Sequence, residues 1–225
     1  MDIDIAFLVY PDLALLDLAG PFEVLHRIPG ARLSLVWKGR EPVRSDTGAA
    51  LLPTATFADV PGADMLCIPG GGGQIDCMED EETISWIRTV GAKARHVTSV
   101  CTGSFLLGAA GLLRGYRATT HWASLPLLAA YGATPVEERV VVDRNRITGA
   151  GVTAGIDLAL HMAAILASQR VAEAIQLGLE YDPAPPFQAG SPRTASGAVV
   201  DIVRARFSDR LARRSAQAGR FSLGS

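Results

Sequence analysis

The sequence predicts an α/β domain built on a mostly parallel sheet with helices on both faces. Three observations predict it. Apolar runs of strand length recur along the chain and alternate with stretches of helical spacing. Those runs are continuously apolar, as in strands buried on both faces, rather than alternating with polar residues. Finally, 225 residues with 48 % hydrophobic and 20 % charged content supply one large core and argue against disorder.

Each element follows in order. IAFLVY (5–10) reads as the first buried strand. Leu13, Leu16, Phe22 and Leu25 then form a helix-like stripe, expected to break near Gly20-Pro21. LSLVW (33–37), MLCIP (65–69) and HVTSV (96–100) are the next strands. Helices are expected at 80–93, where acids in the first turn suit the helix dipole, and at 103–110, 122–131 and 153–167. Within 134–149, two short strands around Asp143-Arg144-Asn145 signal a hairpin. The Pro- and Gly-rich run 182–197 is an irregular connector, followed by a helix at about 197–216 with a frayed end. The expected organisation is a domain over 1–190 and a helical extension over 191–225 packed on it.

Composition excludes several roles. A net charge of −2 and a pI near 6.1 give no reason to expect nucleic acid or an anionic membrane as partner. Arg204, Arg206, Arg210, Arg213, Arg214 and Arg220 cluster near the end and read as a solvated helix face. The opening MDIDIAFLVYP has no basic region of the signal-peptide kind, and no apolar run reaches the ~18 to 20 residues of a membrane span. The three cysteines lack metal-type CxxC spacing and form no disulfide framework, which fits a cytoplasmic protein.

The strongest chemical signal is HVTSVCTGSFLLGAAGLL (96–113). A β-branched strand runs into Cys101, small residues follow, and a helix begins. A nucleophile on such a turn is pushed out of the sheet, and the helix N-terminus favours a thiolate. The competing reading is a buried, inert cysteine. Gly70 to Gly73 follow another strand and belong on the same sheet edge. They lack the GxGxxG and GK[ST] patterns, so a loop of backbone donors, Gly71 and Gly72 among them, fits better than a nucleotide site. Asp17 lies among leucines, where a carboxylate is costly to bury. It reads either as a helix cap or as a proton carrier for a thiol, with Glu23 as its rival. His121 reads as a pocket residue or as a cap for the next helix. His26, His96 and His161 do not cluster. Cys67 belongs to the core, and Cys77 is expected nearer the surface.

Together, PGGGG (69–73), SVCTGSFLLGAAGLL (99–113), RATTHW (117–122) and GVTAGIDLAL (151–160) resemble, in order, the pattern of the ThiJ/PfpI superfamily. These are flavodoxin-like three-layer sandwiches related to class I glutamine amidotransferases. FLVYP (7–11), LDLAGPFEVL (16–25) and LEYDPAPPFQAGSP (179–192) extend the resemblance to its isonitrile hydratase branch. That resemblance implies Cys101 as nucleophile, Thr102 as its partner and Asp17 as the acid. It also implies a small-molecule isonitrile substrate, no metal or organic cofactor, and a homodimer. Two departures are Ala19, where the branch carries Thr, and the glycine-rich stretch GGGGQIDCMED (70–80), expected to reshape the pocket mouth. Rival readings within the superfamily are a ligand-sensing domain of the kind joined to AraC-type DNA-binding modules, and a glyoxalase or deglycase. The short Arg-containing tail speaks against DNA binding.

Overall fold

The computed structural model describes residues 2–223. Its central sheet has seven strands. In chain order the strands are β1 (Ile3–Leu8), β2 (Ala31–Trp37), β3 (Val43–Arg44), β4 (Ala50–Leu51), β5 (Ala55–Thr56), β6 (Met65–Ile68) and β7 (His96–Val100). They continue as β8 (Arg117–Ala118), β9 (Thr134–Pro135), β10 (Val140–Asp143) and β11 (Arg146–Gly149). The sheet runs β10-β11-β7-β6-β1-β2-β5 and is parallel except for the β10–β11 hairpin, while β3–β4 and β8–β9 pair separately. The hairpin turns through Arg144 at φ 55°.

Helices α1 (Leu15–Leu25), α5 (Ala154–Leu166) and α6 (Gln169–Gly178) pack together on one face. On the other lie α2 (Gln74–Cys77), α3 (Glu81–Lys93), α4 (Gly103–Ala109), a 3-10 helix over Trp122–Tyr131, and α7 (Gly197–Leu223). This is the expected sandwich. Ile5, Phe7, Leu8, Leu66 and Ile68 are buried because their strands carry helices on both sides.

Four expectations need correction. Helix α1 runs through Gly20 and Pro21. Pro21 leaves the Asp17 carbonyl without its usual donor, but its ring seats on Gly155 of α5, where a Cβ would come within 3.0 Å of the ring. Tertiary packing thus overrides a local breaker. Segment 122–131 forms a 3-10 rather than an α-helix, with Pro126 inside it. Helix α7 extends well past residue 216 because its inner face is docked: Arg214, Gln217 and Ala218 are buried, and the Phe221 ring packs on Tyr131 at 4.7 Å. The frayed end assigned to the last residues falls on Gly224 and Ser225, outside the described residues. Cys77 is buried rather than near the surface, at the end of α2 and part of the core.

Candidate active site

Strand β7 ends at Val100, and the chain turns sharply at Cys101, whose φ of 54° lies in the left-handed region. A non-glycine residue there is strained and is held by its surroundings. Three bonds hold this one. The Cys101 N–H donates to the Gly149 carbonyl at 3.0 Å. Its carbonyl accepts from Thr120 Oγ1 at 2.8 Å and from Ser104 Oγ at 3.2 Å. Gly103 lets the elbow sit on β6: a Cβ there would lie 2.2 Å from the Ile68 carbonyl oxygen.

The glycine loop binds the site's own residues. Ala14 N–H donates to the Gly70 carbonyl at 2.8 Å, which draws the start of α1 onto the loop. Gly70 N–H then donates to Asp17 Oδ2 at 2.9 Å. Gly71, at φ 138°, donates its N–H to Thr102 Oγ1 at 3.1 Å. Its amide is therefore already engaged, and Gly72 faces the Arg210 guanidinium. The Gly70 and Gly71 donors thus hold the acid and the threonine of the site itself.

Asp17 is 1 % exposed, and its Oδ1 has no hydrogen-bond partner among the described residues. Burial pushes its carboxyl up to about 7, against the Gly70 N–H and the Cys101 thiol, which pull it down; Asp46 adds to the rise. Cys101 is buried too, although it borders a cavity. Burial, followed by the Asp17 charge, pushes the thiol well above its ordinary range; Thr102 and Arg214 oppose the rise. Enclosure thus works against the thiolate that the elbow favours.

Cys101, Thr102, Gly71 and His121 line one cavity of about 120 Å³, together with Phe207 and Arg214 among others. His121 fills both roles weighed for it: Nδ1 accepts from Ala123 N–H at 3.4 Å, and the ring faces the cavity. Burial and the Arg214 charge lower it to about 4, so it is neutral at neutral pH. Glu23 is exposed and paired with Arg27, away from the sulfur. Among the described residues no group of three or more His, Cys, Asp or Glu could hold a metal ion, and no helix is long and apolar enough to cross a membrane.

Sequence reasoning missed Arg214. It is 7 % exposed, not part of a solvated face. Its Nε donates to Gln74 Oε1 at 2.9 Å and an Nη to the Gly71 carbonyl at 3.3 Å. The only sequence signal is its spacing with Gln217 and Ala218 on one face of an otherwise polar helix.

A strained cysteine elbow at the carboxyl edge of a parallel sheet, backed by a buried acid and a glycine loop, defines a cysteine-centred α/β sandwich protein. A model described as the DJ-1/PfpI family matches residues 4–165, and the chain belongs to that family. It is 55 % identical over 206 residues to an isonitrile hydratase of Pseudomonas putida, covering 92 % of this chain and 90 % of that one. A crystal structure of a ThiJ/PfpI family protein from Pseudomonas syringae superposes with a TM-score of 0.95 at 47 % identity, over 97 % of this chain and 91 % of the other. The transcriptional regulator GbdR of Pseudomonas aeruginosa is 32 % identical over 167 residues, 70 % of this chain but 45 % of the regulator.

Proposed function

We propose that this protein is an isonitrile hydratase, a cofactor-independent cysteine hydro-lyase that adds water to an isonitrile and releases an N-substituted formamide. The observation that carries the reading is the pairing of a buried acid with a cavity-facing thiol, Asp17 with Cys101, in a chain so similar to the Pseudomonas putida enzyme.

The terminal isonitrile carbon must gain both a nucleophile and a proton. Cys101 sulfur bonds to that carbon, and the proton held by the Asp17–Cys101 pair passes to the same carbon. The product is a thioimidate, R–N=CH–S–Cys101. Water, giving one proton to the Asp17 carboxylate, adds to that carbon, and the protonated Asp17 passes that proton on to the nitrogen. The adduct R–NH–CH(OH)–S–Cys101 expels the sulfur, which recovers its proton, and R–NH–CHO leaves. An acid that titrates near 7 serves in both directions at neutral pH. Thr102, whose N–H and hydroxyl both stabilise charge on the sulfur, holds the leaving thiolate. A second space of about 360 Å³ shares His121 and Val152 with the first and gives room for the N-substituent.

We read residues 191–225 as an extension of the 1–190 domain, and the protein as a cytoplasmic homodimer. Leu16, exposed on α1 beside Asp17, and Leu52 supply apolar surface for such contact. Light scattering reads that state directly. The activity is tested by incubating the protein with an alkyl isonitrile and following formamide by mass spectrometry. Turnover that Cys101→Ala abolishes is expected; turnover that survives it would sink the mechanism.

A further inference from the structure

Helix α7 reaches the site along most of one face. Arg213 pairs with Asp76, Arg214 bonds Gln74 and Gly71, Gln217 Nε2 donates to the Ile75 carbonyl at 2.7 Å, and Arg220 pairs with Glu79. These partners all lie in the glycine-rich stretch 70–80. The family match ends at residue 165, so helix α7, one side of this contact, lies outside the segment it matches.

We propose that Arg214 is a positioning residue that acts through Cys101: its buried guanidinium, anchored by Gln74 and Gly71 on the wall of the same cavity, favours the ionised sulfur. The inference rests on the hydratase reading for its catalytic consequence, though not for its electrostatics. The charged and titratable groups around Cys101 are Asp17 from α1, Tyr10 after β1, Asp46 from the β3–β4 turn, His121, and Arg210 and Arg214 from α7. Asp17 opposes ionisation of the sulfur, His121 is neutral, and Arg210 is exposed to solvent. Arg214 alone among the six is both cationic and buried, where a charge acts with little screening. The guanidinium in turn is held in place by an amide oxygen and a backbone carbonyl, and among the described residues no carboxylate pairs with it to cancel its charge.

The test is the pH dependence of Cys101 alkylation by iodoacetamide, read on the Cys101 peptide by mass spectrometry, in the full chain and its variants. Arg214→Gln should raise the midpoint by about one pH unit and slow alkylation roughly tenfold below it. Formamide production should fall by a similar factor. Arg214→Lys, which keeps the charge, should restore most of the wild-type midpoint. Gln74→Met keeps the volume, releases the anchor and should raise the midpoint by less. A folded Arg214→Gln protein with the wild-type midpoint overturns the proposal. If Arg214→Gln does not fold, an unmoved midpoint in Gln74→Met overturns it instead. Alkylation needs no isonitrile, so a wild type that makes no formamide defeats the proposed activity and leaves this test standing.

Discussion

Asp17 and Cys101 share a proton environment without sharing a cavity. Cys101 lines the cavity of the site, whereas Asp17 lines a separate small void with Val100, Pro69 and Leu158. The acid backs the sulfur from the α1 side, and the substrate space opens on the other. Proton traffic between Asp17 and a bound molecule therefore passes close to the sulfur, and the two groups act as one unit.

That arrangement makes the acid a stability liability. In the unfolded chain its carboxyl ionises near the ordinary value of 3.8; in the folded protein it ionises at about 7. Below 3.8 both states are protonated and the group contributes nothing to the pH dependence. Between 3.8 and 7 the unfolded chain alone releases the proton, so stability falls as pH rises, and it levels off above 7. Asp17→Asn removes this loss, which is on the order of a few kcal/mol. Asp17→Asn should thus melt higher than wild type at pH ~8, with little difference at pH ~4, while losing formamide production. Thermal melts at the two pH values read it, and equal gains at both would refute the linkage.

Gly70 has room for no side chain. A Cβ would stand 2.5 Å from the Thr102 nitrogen and 2.8 Å from Asp17 Oδ2. Gly70→Ala should cost about a hundredfold in kcat/KM by displacing acid and threonine together. Retained activity would show that the loop yields more easily than its backbone contacts imply.

Thr102 Oγ1 is the acceptor for the Gly71 N–H and a partner of the sulfur. Thr102→Val should lower stability by ~1–3 kcal/mol in a denaturant titration and slow turnover, because it strands a backbone donor. Thr102→Ser keeps the hydroxyl and should behave close to wild type. Equal losses in both variants would show that the hydroxyl does not carry the effect by itself.

All three cysteines are buried, yet only Cys101 lines the cavity. Burial raises all three thiols, so ionisation does not separate them and access through the cavity does. Peroxide should therefore oxidise Cys101 first. Peptide mapping that finds Cys67 or Cys77 oxidised earlier would contradict this.

What the sequence made legible were features with local causes. The elbow was readable because strand, cysteine, small residues and helix are contiguous, and the parallel sheet because its strands are apolar without interruption. Asp17 stood out as an acid among leucines. The path of α1 through Pro21 was not readable, because the compensating contact comes from Gly155 on another helix. Arg214 was hidden for the same reason: its partner Gln74 lies 140 residues away in the chain. The enclosure that opposes the Cys101 thiolate was not readable either, because it depends on what covers the sulfur, which a local pattern does not carry.

Helix α7 is translated after every other element described above, yet it supplies one wall of the cavity. A chain without residues 197–223 would lack that wall, which leaves one side of the Cys101 cavity open to solvent. Such a chain would exchange readily with glutathione disulfide, forming a mixed disulfide at Cys101 and releasing reduced glutathione, and docking of α7 withdraws the sulfur from that exchange.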